Sequence, residues 1–473
     1  MKPMLRIAVA GASGFVGRQL CEQLAQEHQV VAISRQSQDP NRDWKNGIIS
    51  RRADLFSLKQ IEEALQGADI AVYLIHSMLP ANRLTQGSFA DLDAILADNF
   101  ARAAKRQGVK RIIYLGGLIP GEGLSPHLSS RLEVEWILAS QGTPLITLRA
   151  GLIVGTQGSS FVIMERLVRR LPIMLCPAWT TKLCQPIHID NVVHFLKNTI
   201  TDGDLPSGAY DIGGPDQISY LDMMRETARI LDRTRWFFAV PFMTAGLSKL
   251  WLRLITQTPK QLVYPLVESL RHDMICHSNP LAERYHITPA PIRSALHDAL
   301  KTSHGKSPAA SSRRFRPRLM EYAVTSVQRI PIAPNQTIAG LTKEYADWVQ
   351  TFMRPFIRIL HTQDGSLKFY FRFLPFRPGL LLLELTFSPE RSDQTRQLFY
   401  ISNGSLLAKN AGPKRGRFEF RRLPNSDEAL TAVLDFYPRL PWWIYRYSQA
   451  LIHLLVMTCF RRHMQKSLRP SRH

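Results

Sequence analysis

Cysteine is scarce in this 473-residue chain and follows no pattern. Its five cysteines, Cys21, Cys176, Cys184, Cys276 and Cys459, are odd in number and include no Cys-x-x-Cys pair. That argues against a zinc site or a disulfide framework and fits buried thiols in a reducing, cytoplasmic compartment. The histidines have no paired partners at metal-ligand spacing, so no metal is expected. Long apolar runs are missing as well. No stretch of about 18 uncharged apolar residues occurs, which argues against a spanning helix. The longest candidate, YSQALIHLLVMTCF (447–460), has 14 residues and includes His453. The opening MKPMLRIAVAG does not read as a signal peptide, because its apolar run is only about six residues and no small-residue cleavage site follows.

Acidic residues are few in the last third. Residues 306–473 hold 27 Lys and Arg against 11 Asp and Glu, whereas the first 305 residues hold 33 against 27. The net charge of +22 therefore belongs mainly to a separate C-terminal module. A length of 473 residues also exceeds one ordinary core and suggests two domains or three.

What is present first is alternation. Short β-rich runs (LRIAVA, QVVAIS, GIISRRADL, DIAVYLIHS, KRIIYLGGL, PLITLRAGLIVG) alternate with amphipathic helical patterns over the first 150 residues. Such alternation predicts a doubly wound, parallel Rossmann sheet with helices on both faces, an α/β fold. Gly67, Gly108 and Gly142 stand where helix C-terminal caps fall. Residues 151–300 are more helical, with Ser219 expected to cap one helix, and they supply the substrate region of a domain spanning 1–300. WFFAVPFMTAGLSKLWLRLI (236–255) reads as a packed or pocket-lining helix. Residues 301–318, rich in Ser, Pro and basic side chains, read as a linker. From 319 to 473 the pattern predicts an α+β domain, an antiparallel sheet gripping a long C-terminal helix over roughly 441–464. SLKFYFRF, LLLLELTF, QLFYIS, GRFEFRRL and ALTAVLDF are its expected strands.

The GASGFVG segment (11–17) lies between the first strand and the first helix. Gly11 permits the tight turn, Gly14 lets the backbone approach a pyrophosphate, and Gly17 lets the helix pack on the sheet. Ser13, Phe15 and Val16 complete that cradle, and the new helix offers its free N–H groups to phosphate. The second strand ends without the carboxylate that holds an NAD ribose. Ser34 and Arg35 stand there instead, and a guanidinium suits a 2′-phosphate. NADP is therefore the expected cofactor, with NAD the alternative.

GASGFVG, RRADL, YLIHSM and RIIYLGGL together resemble the atypical, NmrA-like short-chain dehydrogenase/reductases. SRLEVEWIL, LRAGLIVG, LPIMLCPAWTTKLCQPIHIDNVV and GAYDIGGPD extend the likeness over residues 4–300. Within that group the chain is similar to the bacterial YbjT type, which joins such a domain to a smaller C-terminal one. The resemblance implies that Asp54 and Leu55 border the adenine, and that Ile75, His76 and Ser77 lie along the cofactor. For His76 a packed or backbone-bonded role is the other reading.

Short-chain reductases carry Tyr-x-x-x-Lys on the helix after the fifth strand, with a serine at that strand's end. Here PHLSSRLEVEWIL puts His127 and Arg131 at the matching positions, and Gly116 and Gly117 near the serine's place. The i,i+4 spacing sets His127 and Arg131 on one helix face. His127 is the candidate acid or base, with a substrate contact or a solvated helix residue the other reading, and Arg131 is the candidate anion holder. Asp190 and Asn191 are expected to cap a helix supporting the pocket, and Arg149 to border the substrate cleft.

In the C-terminal module, Arg417, Glu419 and Arg421 alternate with Phe418 and Phe420, which reads as a strand's solvated face. Trp442, Trp443, Tyr445 and Tyr447 precede the last helix, and Arg461 and Arg462 follow its apolar part. A helix buried against the sheet and a peripheral membrane contact are both consistent with that layout. An acidic protein is the other partner considered, and a nucleic acid is disfavoured. Two functions remain open from sequence. One is an atypical NAD(P)-dependent reductase of a small carbonyl or enone. The other is a non-catalytic nicotinamide sensor or assembly factor. A lipid-handling protein with a scaffold Rossmann domain ranks third.

Overall fold

A computed structural model describes residues 3–35, 47–76, 84–121, 123–240, 270–303, 323–372, 379–408 and 415–468. The chain divides into two compact units: Met1–Leu79 with Asp93–Arg313, and Pro80–Leu92 with Arg314–His473.

The first unit is built on seven parallel strands: β1 (Arg6–Ala10), β2 (Gln29–Ser34), β3 (Ile48–Arg52), β4 (Ile70–Tyr73), β5 (Arg111–Gly117), β6 (Leu145–Ala150) and β7 (Gly208–Ile212). Their order is β7-β6-β5-β4-β1-β2-β3, so the strand order reverses between β1 and β4. That reversal opens a crevice beyond the carboxyl ends of the strands, where ligands of such sheets bind. The helices of this unit include α1 (Phe15–Leu24), α2 (Leu58–Leu65), α3 (Phe89–Arg106, from Asp93 onward), α4 (Pro126–Ala139), α5 (Ser159–Arg170) and α6 (Ile189–Thr201).

The expected Rossmann elements are all found. The strands are apolar along their length because helices cover both faces: Ile7, Val9, Val30, Ala32, Val72, Ile113 and Ile146 are buried. Helix α1 buries Gly17, Leu20, Cys21 and Leu24, one stripe at helical spacing. Each fully buried Leu or Ile contributes about 1.5–3 kcal/mol. Helix α3 stops at a left-handed Gly108 (φ 67°), beyond which Val109 N–H donates to the Ala104 carbonyl at 2.9 Å.

The substrate region adds α5, α6, α7 (Tyr220–Ile230) and α8 (Ile292–Ser303), with Phe161, Met164, Leu167, Met223 and Leu296 in its core. Ser219 caps α7 as expected, its hydroxyl accepting from Asp222 N–H at 3.0 Å. Helix α6 begins two residues earlier than an Asp190 cap would allow. His188 is its N-cap, with Nδ1 accepting from Asp190 N–H at 3.4 Å. Asp190 is already inside the first turn, and the Asn191 side-chain oxygen instead accepts from Ala290 N–H at 3.0 Å. In the expected 236–255 helix, Trp236–Ala239 is a strand paired with Ile173–Cys176, and residues 241–269 lie outside the described residues. So do residues 304–322, which include most of the expected linker.

The second unit is an eight-stranded sheet. Seven strands come from the C-terminal third: β8 (Val324–Pro331), β9 (Ile357–His361), β10 (Leu367–Phe371), β11 (Leu380–Phe387), β12 (Arg396–Asn403), β13 (Arg417–Arg422) and β14 (Glu428–Phe436). They follow the order β9-β10-β11-β12-β13-β14-β8 with antiparallel neighbours. The eighth strand is Leu84–Gln86, parallel to β8 with Leu84 opposite Val324. On one face lie α9 (Ile338–Phe352) and α10 (Gln449–Ser467). Tyr345 of α9 sits 5.5 Å from the Phe418 ring and 5.1 Å from the Phe460 ring, centroid to centroid.

Two expectations for this unit are overturned. Arg417, Glu419 and Arg421 are buried, not solvated. Glu419 accepts from Arg421 Nε at 2.8 Å and Arg396 Nε at 3.3 Å, while Arg417 Nη2 donates to Asp435 at 2.6 Å. Burial alone would raise the Glu419 pKa, but Arg396, Arg421 and Arg417 hold it well below the usual carboxylate range. Mutual neutralisation is what lets this face be buried. The closing helix is also not one element. Trp442–Tyr447 and α10 are separated at Ser448 (φ −124°, ψ −85°). Arg446 of the first piece is exposed, whereas His453 of α10 points inward. His453 Nδ1 lies 3.5 Å from Ser326 Oγ, and burial lowers its pKa to about 4.

Candidate functional site

The glycine turn has the geometry its sequence demands. Gly11 is left-handed (φ 90°), and a Cβ there would lie 3.1 Å from the Leu74 backbone. A Cβ on Gly17 would lie 2.3 Å from the Gly11 carbonyl oxygen, so only glycine lets α1 sit under the turn. Gly14 is the N-cap of α1, exposed and extended (φ −76°, ψ 174°). Neither a side-chain cap nor an acidic residue occupies this first turn. The N–H groups of Phe15, Val16 and Gly17 have no intrahelical acceptor by position, and the turn suits an anion. Ser13 is exposed, and Phe15 and Val16 are half-buried. The Phe15 ring leans on the 155–158 loop, where a Cβ on Gly155 would meet it at 2.4 Å.

Along the sheet edge, Ser34 ends β2 and Arg35 is exposed just beyond it. Arg52, which the sequence did not single out, is in register with Ser34 and its Nε donates to the Arg35 carbonyl at 3.2 Å. Two guanidinium-bearing residues thus end adjacent strands. Asp54 Oδ1 accepts from Phe56 N–H at 3.1 Å, and Leu55 is buried. Asn99 of α3, also missed, pins this loop by donating to the Leu55 and Phe56 carbonyls at 2.9 and 3.1 Å. These residues are the ones that could hold the adenosine end of a dinucleotide. Ile75 and His76 are half-buried past β4, and Ser77 lies outside the described residues.

The residues at the Tyr-x-x-x-Lys positions join a buried polar array. His127, on the first turn of α4 behind the Ser125 cap, has Nε2 3.1 Å from His76 Nε2. His76 Nδ1 lies 3.2 Å from the carboxylate of Asp93, which is almost wholly buried on α3. Arg131 is buried one turn after His127, and its Nη1 donates to the Tyr114 hydroxyl at 3.3 Å. The Tyr73 ring lies 5.9 Å from that of Tyr114, and its hydroxyl is buried without a hydrogen-bond partner among the described residues.

Electrostatics fix the protonation pattern. Burial, together with the Arg131 cation, lowers the His76 pKa to about 4 despite Asp93. Burial, then His76 and Arg131, lowers that of His127 to about 3. Both rings are neutral at pH 7. An ionised carboxylate only accepts, so His76 carries its proton on Nδ1 and accepts at Nε2. With Asp93 ionised, His127 then carries its proton on Nε2; with Asp93 protonated, both tautomers reverse and His127 carries its proton on Nδ1. Arg131 supplies the counter-charge to Asp93 inside the unit; it is not laid open to an exposed anion. Gly116 and Gly117 bring no hydroxyl to the place of the family's serine. A Cβ on Gly116 would lie 3.1 Å from the Tyr114 ring, whereas one on Gly117 has room.

Arg149, expected at the cleft, is engaged in a two-pronged ion pair with Glu135 at 2.9 and 3.2 Å. A groove of about 570 Å³ lies between α7 and α8, lined by Ile218, Asp222, Arg225, Glu226, Arg229, Ile292 and Arg293. None of these belongs to the histidine array. No group of metal-ligating side chains occurs among the described residues. Burial raises the thiols of Cys21 and Cys184 to about 12, as expected of packed, unreactive cysteines.

Comparison with known proteins agrees with this geometry. Residues 11–132 match the family model described as NAD(P)H-binding. Over 154 residues the chain is 34% identical to the auxiliary protein GraX of Staphylococcus aureus, covering 31% of this chain and 44% of that one. The chain thus spans less than half the length of that relative. Among solved structures, the triphenylmethane reductase of Citrobacter sp. superposes with a TM-score of 0.51 at 16% identity, over 63% of this chain and 99% of that one. The NADPH-dependent quinone oxidoreductase QOR2 of Escherichia coli, solved with NADPH, gives 0.50 at 19%, over 61% and 98%. The first unit shares its fold with these two reductases. Residues 11–132 are, more particularly, an NAD(P)-binding domain.

Proposed function

We propose that the protein is an NADP(H)-dependent reductase of a small carbonyl or enone, in which the Asp93–His76–His127 array replaces the tyrosine–lysine pair. The single observation that carries this reading is the 3.1 Å contact between His76 and His127, backed by the buried Asp93 carboxylate. The bound nicotinamide supplies hydride. The chain supplies the proton at the ring nitrogen of His127 that does not face His76. In the loaded state Asp93 is protonated and both rings are neutral. Transfer then runs from Asp93 to His76 Nδ1, from His76 Nε2 to His127 Nε2, and from His127 Nδ1 to the substrate oxygen. Neither imidazole has to become a stable cation, which burial disfavours. Arg35 and Arg52 support the choice of NADP, since paired guanidinium groups suit a 2′-phosphate.

The test is oxidation of NADPH by the purified protein against a panel of quinones, enones and aldehydes, with His127→Ala beside it. Turnover that His127→Ala abolishes while NADPH binding persists is the expected result. Tight cofactor binding with no turnover on any class overturns it. That outcome favours a non-catalytic, nicotinamide-responsive role; the Staphylococcus relative is itself named an auxiliary protein.

A further inference from the structure

Helix α10 buries Ala450, Met457, Phe460 and Met464 against the sheet and turns an apolar face to solvent. Leu451, Ile452 and Leu455 are 52%, 54% and 58% exposed, and Trp443 and Tyr447 just before them are each 69% exposed. The polarity of this stretch is inverted, because His453 faces inward while the leucines and isoleucine face out. Over two turns of a surface helix that arrangement costs solvation unless something apolar covers it.

Charge narrows what covers it. From Phe436 to His473 the chain has seven Lys and Arg and no Asp or Glu. Arg439, Arg446, Arg461, Arg462 and Lys466 are exposed around the apolar patch. At 100° per residue, Arg462 and Lys466 fall on the same side of α10 as Leu451 and Leu455, two to four turns further along. The Arg446 guanidinium lies 5.5 Å from the Tyr447 ring centroid, so a cation and an aromatic edge are presented together. Glu344 of α9 reaches His463 at 3.3 Å, but Arg439, Arg446, Arg461, Arg462 and Lys466 leave a net positive surround, which disfavours a second copy of itself and attracts a negatively charged plane. Exposed Trp and Tyr beside leucines suit the boundary between headgroups and acyl chains.

We propose that this face docks on an anionic phospholipid surface, with Trp443, Tyr447, Leu451, Ile452 and Leu455 entering the interface and the surrounding arginines and Lys466 meeting phosphate headgroups. No helix among the described residues is long and apolar enough to cross a membrane, so the contact lies in the plane of the surface.

The experiment is co-sedimentation of the full chain with vesicles of phosphatidylcholine alone and of phosphatidylcholine with one quarter phosphatidylglycerol, at 50 and 300 mM salt. Binding to the anionic vesicles that weakens with salt is expected. A Leu451→Ser, Leu455→Ser double variant should lose about tenfold or more in partitioning. Its thermal unfolding should be unchanged, since both side chains are exposed. An Arg461→Glu, Arg462→Glu variant should lose the preference for anionic vesicles. Pelleting with neither vesicle, or equal pelleting of the leucine variant, overturns the proposal. So does a concentration-dependent dimer of the parent chain, seen by light scattering, that the leucine variant loses, because the occupant is then a second copy.

Discussion

The Nε2 atoms of His76 and His127 lie 3.1 Å apart although 51 residues separate them in the chain. Such a contact holds only if one ring donates and the other accepts, and Asp93 decides which.

Replacing Asp93 by Asn tests that decision. The amide oxygen still accepts from His76 Nδ1, so the rings stay in place, but the store of exchangeable protons is gone. Turnover in the NADPH assay should fall by about 10²- to 10⁴-fold, with NADPH affinity within about twofold of the parent. A variant that turns over normally removes Asp93 and His76 from the chemistry and leaves His127 to act alone.

The arginines at the ends of β2 and β3 predict a nucleotide preference. Arg52→Ala, and more strongly Arg35→Ala with Arg52→Ala, should weaken NADPH binding about tenfold or more and leave NADH binding unchanged. Titration calorimetry with both nucleotides reads this directly. An equal loss for both assigns these residues to the sheet edge and not to the 2′-phosphate.

His453 predicts a pH-dependent stability for the second unit. Its folded pKa is depressed to about 4, so between there and about 6.5 the unfolded chain binds more protons than the folded one. Stability contributed by the neutral ring is therefore full above pH 6.5 and is lost as pH falls toward 4, at up to about 1.4 kcal/mol per pH unit. Between pH 7 and pH 5, urea unfolding should cost the parent about 2 kcal/mol more than His453→Gln. Parallel losses in the two proteins count against a buried, neutral His453.

Much of the first unit was legible because its determinants are local. Hydrophobic period, the 11–17 glycines, and Gly108 just past α3 each act within a few residues, and each is found where it was expected. The candidate site was less legible. The resemblance to the Tyr-x-x-x-Lys motif points to His127 and Arg131, but Asp93 and Asn99 were missed, although both interrupt an apolar stripe of α3 and so carried a readable signal. Arg52 carried none, since its place beside Ser34 is a property of strand register. The second unit was least legible. Alternation in RFEFR cannot tell a solvated face from one buried by reciprocal charge, and Glu419 is held by Arg396 from another strand. No pattern in 84–86 marks a strand whose partner begins at Val324.

That last pairing bears on how the protein can be made. During translation, Leu84–Gln86 emerges some 240 residues before the strand it lies against. At ribosomal speeds of roughly 5–20 residues per second, it waits on the order of ten seconds or longer for its neighbour. A truncation starting at Arg314 would also be born without it, leaving the backbone edge of Val324–Ser326 open to other chains. The C-terminal fold is thus not a cassette that can be clipped off and grafted elsewhere; it travels with a piece of the sequence that precedes it.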